Sequence, residues 1–283
     1  MGAISNNTSE AYLKKARQEI AAWESRKRGC LARLGDFALD PAARLTVSLV
    51  PKSLQETATE MVEKSLRLAA HSVKFSVDSQ ALSRKRIECL GRKKALGLRL
   101  RACDALAKEF WNSHCAYAAA QGSAAGVIGF AGIVADISFT LSITIREIRT
   151  IALCYGYGPT DPLESDYALH VLRLVSSNKS EARAEIVRSL KEIEQSLAQA
   201  VARKNSPGRG KEIAARFKYL MTTEEYAKSL AFDLLQRRAL QCLPVTGVVT
   251  GATFSAAYAN DIGRTAYMCY RRRFIEQSKM RFS

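Results

Sequence analysis

Histidine, proline and tryptophan are scarce in this sequence: three, six and two among 283 residues. The histidines, His71, His114 and His170, stand far apart and fit helix faces or the core better than acid-base work. No His-Glu-x-x-His or Cys-x-x-Cys spacing occurs, so a zinc signature is missing and neither a metal nor another cofactor is expected. Strand signals are nearly absent, which points to an all-α chain. One charge-free run, Phe110 to Ala135, is long enough to span a bilayer, but its few strongly apolar residues must offset Asn112, His114, Gln121 and four glycines. A spanning helix is therefore not expected. Residues 1–9 are polar and lack the basic start and apolar run of a secretory leader. They are expected to be flexible, ahead of a single helical domain over residues 10–283.

Carboxylates are also in short supply, 27 against 43 lysines and arginines, and the net charge of +16 should attract a polyanion, either nucleic acid or an anionic lipid surface. Eight basic residues with one acid, Glu88, precede the charge-free run: Arg84, Lys85, Arg86, Arg92, Lys93, Lys94, Arg99 and Arg101. A second basic run, Arg271, Arg272 and Arg273, closes the last helical segment. Both are expected to face an anionic membrane, at about 1 kcal/mol per residue near its surface. Nucleic acid is the weaker partner, because the basic run lacks interleaved aromatics and no zinc-finger or RRM pattern occurs. Seven cysteines, an odd set in apolar or helical surroundings, read as reduced core residues of a cytoplasmic protein, placed at the inner face of the cell membrane.

Apolar residues recur at helical spacing along most of the chain. Leu13, Ile20, Trp23 and Leu31 mark a helix over residues 9–34, Pro51 opens another through Leu68, and a basic helix is expected from Ser79 to Lys108. The helix through the charge-free run should continue to Tyr155, where Gly156 and Gly158 stop it. Asp161-Pro162-Leu163-Glu164 then supplies a cap, a first-position proline and an early acid for the next helix. A helix from Ser180 to about Arg203 and one opened by Thr222-x-x-Glu225 follow, with Lys204 to Gly210 the clearest loop between them. Pro244 leads into a second glycine-rich segment and a last helix through Tyr267 and Tyr270.

One pattern occurs twice in the uncharged stretches: Gly-x-x-x-Gly, nine residues, then Asp. Gly122, Gly126 and Asp136 form the first copy; Gly247, Gly251 and Asp261 form the second. At 3.6 residues per turn each set falls within an arc of roughly 80°, a nearly bare helix face ending in an acid. Each glycine costs about 1 kcal/mol against alanine in a helix, which close packing of the two faces, or contact with a bilayer, would offset. Packed together, they would bring Asp136 and Asp261 near Arg146 or Arg264. Such a carboxylate and arginine set could hold a small molecule, or divide acid and base roles in an enzyme. No reaction is defined by these residues.

Gly129-Phe-Ala-Gly-Ile-Val-Ala-Asp136-Ile, Arg146-Glu-Ile-Arg-Thr-Ile-Ala-Leu-Cys-Tyr155-Gly156-Tyr-Gly and Asp161-Pro162 together resemble the EcsC family of bacterial proteins. Leu49-Val50-Pro51-Lys52 is similar to its N-terminal block, and Leu243-Pro244-Val-Thr-Gly247-Val-Val-Thr-Gly251, with Asn260 and Gly263-Arg-Thr-Ala266, to its C-terminal one. Each block is short; their order over most of the chain carries the resemblance. Some members are encoded beside the ATPase and membrane subunits of an ABC transporter. The resemblance therefore implies a helical accessory protein whose partner is a membrane surface or a transporter subunit, and it supplies no catalytic residue.

Overall fold

The computed structural model describes residues 2–25, 51–71, 79–91, 93, 95–125, 129–158, 162–176, 180–202, 224–239 and 247–282. Among them are nine helices and no strand: α1 (Gly2–Glu24), α2 (Lys52–His71), α3 (Ser79–Leu90), α4 (Leu96–Ala125), α5 (Gly129–Tyr155), α6 (Pro162–Ser176), α7 (Ser180–Ala202), α8 (Glu224–Ala239) and α9 (Gly247–Phe282). The all-α expectation holds. No described helix is long and apolar enough to cross a membrane. The loop from Lys204 to Gly210 lies outside the described residues.

Local chemistry sets the ends. The Pro51 carbonyl accepts from the amides of Leu54 and Gln55, opening α2 where proline was expected to. At the end of α5, Gly156 takes φ +91°, with its amide bonded to the Leu153 carbonyl and that of Tyr157 to Ala152, both orphan carbonyls of a Schellman stop. The single basic helix expected from Ser79 to Lys108 is instead two. Gly91, at φ +47°, ends α3 with its amide on the Ile87 carbonyl, and Ala95 restarts the chain by accepting from Leu98 and Arg99. Residues 2–9, expected as a flexible lead, lie within α1. The amide of Gly97 donates to Ser9 Oγ at 2.9 Å, and a Cβ on Gly97 would lie 2.1 Å from the Ser9 carbonyl, so the start of α1 is docked on α4.

The centre of the molecule is α9. It runs antiparallel along α4, with Arg271 against Asp104 and Gly263 against Trp111, and also contacts α1, α5, α6 and α7. Every residue from Thr265 to Ile275 is buried, so this stretch has no solvent face. On α5, Ile137, Leu141, Ile145 and Ile148 recur three or four apart and fill the core. The α2–α8 pair packs against α5, with Ala58, Val62 and Leu66 of α2 turned inward.

Candidate functional site

Consecutive residues on a helix point about 100° apart, so three in a row sweep some 200° and cannot share one face. On α9 those three are Arg271, Arg272 and Arg273, at 2%, 4% and 2% exposure. Nε of Arg271 lies 2.8 Å from Oδ2 of Asp104 on α4, and its Nη1 donates to Glu19 of α1. Arg272 donates at 2.7 Å to both Glu24 of α1 and Glu194 of α7. Arg273 forks onto Glu164 of α6, with Nη1 donating to Oε2 at 2.6 Å and Nη2 to Oε1. Thus one tripeptide ties four helices to the central one. The expectation that Arg271 to Arg273 meet an anionic surface is corrected: the three guanidiniums are buried and paired with carboxylates of the protein's own helices.

Tyrosines complete the lattice. Tyr12 and Tyr155 donate to Asp104 at 2.6 and 2.7 Å, and Tyr167 donates to Glu194 at 2.6 Å. The Tyr12 and Tyr267 rings lie 5.7 and 5.2 Å from the Arg271 guanidinium; those of Tyr157 and Tyr167 lie 3.9 and 5.0 Å from that of Arg273. Burial pushes the Asp104 carboxyl upward, while Arg271 and its tyrosine donors pull it down; burial prevails. Burial likewise pushes His170 down to about 4, so it is a neutral core residue. The thiols of Cys103 and Cys154 are pushed up to about 11 and 12, chiefly by burial, and all five described cysteines are unbridged.

Beside Arg273 lies a small cleft. Arg149 and Ala152 of α5, Tyr157 and Gly158 of the following turn, Glu164 and Ser165 of α6, and Tyr270 of α9 line about 10 Å³, room for about one water molecule. Arg149 donates to Ser165 Oγ at 3.4 Å. The Tyr270 hydroxyl is buried with no hydrogen-bond partner.

The α3–α4 hairpin carries the rest of the expected basic set. Arg84, Lys93 and Arg101 are exposed, and Ile87 among them is 64% exposed. Lys85 pairs with Glu109 at 2.6 Å, and Arg99 is half-buried. The guanidinium of Arg86 lies over Gly156, where a Cβ would come within 2.5 Å of it, at the negative end of the α5 dipole. Arg92 and Lys94 lie outside the described residues.

Of the glycine-rich pair, Gly122 falls in α4, and Gly247 and Gly251 in α9, the helices with the most extensive mutual contact. Asp136 lies on α5, but its side chain and Gly126 lie outside what is described, and with them the meeting of Asp136 with Asp261. Asp261 and Arg264 are half-buried on α9, and Arg146 is exposed on α5.

The acid beside Arg146 is the unexpected one. Glu147 is 1% exposed, its Oε1 has no hydrogen-bond partner, and burial holds its carboxyl well above the usual range. As pH rises past 4.5 the unfolded chain loses this proton first, so the folded state binds more protons and stability falls toward the folded pKa. Glu147→Gln should therefore melt above the wild type at neutral pH, the gap closing below pH 4.5. A variant that melts lower at neutral pH would show that the carboxylate has a charged role. Nearby, burial and then this carboxyl push the Cys115 thiol up to about 11.

Asp104, Glu147, Arg149, Glu164, Glu194 and Tyr270 were not singled out as site residues, because the partners of Asp104, Glu164 and Glu194 lie on other helices and the burial of Glu147, Arg149 and Tyr270 is set by tertiary packing. One signal was available for the arginines: Ala266-Tyr-Met-Cys-Tyr270 and Phe274-Ile275 flank them with apolar residues on every face.

Uncharacterized protein YdbA of Bacillus subtilis (strain 168) is 27% identical over 177 residues, which cover 62% of this chain and 60% of that protein. This chain thus spans less than two thirds of that relative. No solved structure matches. The description of the EcsC protein family matches residues 14–275, a range that includes all three arginines and each of their carboxylate partners, and the chain belongs to that family.

Proposed function

We propose that this protein is a peripheral accessory protein that docks on an anionic membrane face, beside a transporter, through the α3–α4 hairpin. The observation that carries this reading is the separation of charge. The lattice around the buried α9 guanidiniums sets three arginines against five carboxylates, so the chain's net +16 is carried entirely by residues outside it. On the hairpin, Arg84, Lys93 and Arg101 are exposed together with Ile87, an apolar side chain suited to the headgroup boundary. The absence of a spanning helix among the described residues suits reversible attachment.

The test is cosedimentation with phosphatidylcholine vesicles, with and without phosphatidylserine. The wild type should pellet only with the anionic vesicles and be released by salt. Replacing Arg84, Lys93 and Arg101 with Gln removes about 1 kcal/mol each and should weaken binding about a hundredfold at unchanged Tm. Equal binding to neutral vesicles, or undiminished binding by the triple variant, would refute the proposal.

A further inference from the structure

We propose that the cleft between α5, α6 and α9 is a phosphate site, in which Arg149, Ser165 and Tyr270 take one oxygen of a phosphate group. Tyr270 is fully buried and its hydroxyl lacks a partner, although leaving such a group unpaired is unfavourable and most buried hydroxyls find one. It lines a cavity shared with the Arg149 guanidinium and the Ser165 hydroxyl. Ser165 Oγ accepts from Arg149, which leaves the serine proton to be donated inward. Arg273 donates to both oxygens of Glu164, which offsets the charge of that carboxylate. The donors lining the cleft are the Arg149 guanidinium near the end of α5, the Ser165 hydroxyl in the first turn of α6, where the helix dipole is positive, and the Tyr270 hydroxyl of α9.

The occupant must therefore be an acceptor, and an anionic one. The donors come from three helices and converge on one oxygen, and a phosphate, with up to two negative charges shared over its oxygens, answers a guanidinium more strongly than a singly charged carboxylate. The one planar fork nearby, Arg273, is taken. There is room for a single oxygen, so the rest of the ligand lies outside, on the side of Gly158, where an added Cβ would meet nothing within 4 Å. Burial holds the Tyr270 proton in place far above neutral pH, so the phenol remains a donor. Free phosphate esters and phospholipid headgroups share this chemistry. Arg86 of α3, seated over Gly156, brings the docking hairpin close to the same turn. The site does not depend on membrane docking.

Thermal unfolding of the full chain in inorganic phosphate, against chloride at matched ionic strength, tests the site directly. The wild type should gain a few degrees in Tm. Tyr270→Phe should melt no lower than the wild type in chloride, because it removes an unpaired buried hydroxyl, and should lose the phosphate gain. Ser165→Ala should weaken phosphate binding about tenfold or more, as loss of one charge-assisted hydrogen bond implies. A gain from short-chain phosphatidic acid but not from inorganic phosphate, lost again in Tyr270→Phe, would assign the site to a headgroup. No gain from either probe, or equal gains in both variants, would overturn the proposal, whether or not vesicles are bound.

Discussion

Arg271→Met is expected to destabilise the protein by about 3–5 kcal/mol, the cost of leaving a buried charge without its partner. Asp104 would lose its cation at 1% exposure, keeping the hydroxyls of Tyr12 and Tyr155. At about 2–4 °C per kcal/mol for a chain near this size, Tm should fall by roughly 10 °C, as read by circular dichroism. The loss should shrink as pH falls and Asp104 takes up a proton, because a neutral carboxyl no longer needs the guanidinium. A surface arginine would show neither the magnitude nor the pH dependence, since exposed ion pairs contribute about 0–1 kcal/mol.

Gly263→Ala should be nearly as damaging, for a steric reason. Its Cβ would lie 2.2 Å from Cδ1 of Trp111 and 2.6 Å from the indole nitrogen, contacts that real structures do not hold. Trp111 has little room to yield, since its ring packs against Tyr267 with centroids 5.9 Å apart. The two longest helices, α4 and α9, would have to separate, at a cost of about 1–3 kcal/mol or more. Gly158→Ala is the control: nothing lies within 4 Å of its added Cβ, and denaturant unfolding should place it within about 0.5 kcal/mol of the wild type. Equal stability of the two variants would mean that α4 and α9 are not in close contact at Gly263.

Much of the fold was legible because its punctuation is local. Pro51, Gly156 and Pro162 each act through backbone chemistry that neighbouring residues decide, and each stands where a helix was expected to begin or end. Gly91 was passed over because lysines and arginines on both sides favour a continuous helix, and only its positive φ breaks it. The site was less legible, because burial of charge is a tertiary property. A run of three arginines reads as a solvated face until Asp104, Glu164 and Glu194 are seen to converge on it from three other helices. The doubled glycine pattern drew attention to the α4–α9 contact, yet the described glycine that makes that contact tight is Gly263, outside either copy.

The central claim, that the arginine run of α9 is an interior tie holding the surrounding helices, is tested most directly by a double-mutant cycle on the bidentate pair of Arg273 and Glu164. Denaturant unfolding of Arg273→Met, Glu164→Gln and the combined variant gives the coupling free energy. Each single variant strands a charge, whereas the combined variant strands none. The account predicts that the double variant is less destabilised than the sum of the singles by about 2 kcal/mol or more, within the range seen for coupled neighbours. Additivity within about 0.5 kcal/mol, the behaviour of distant or solvent-exposed groups, would contradict it.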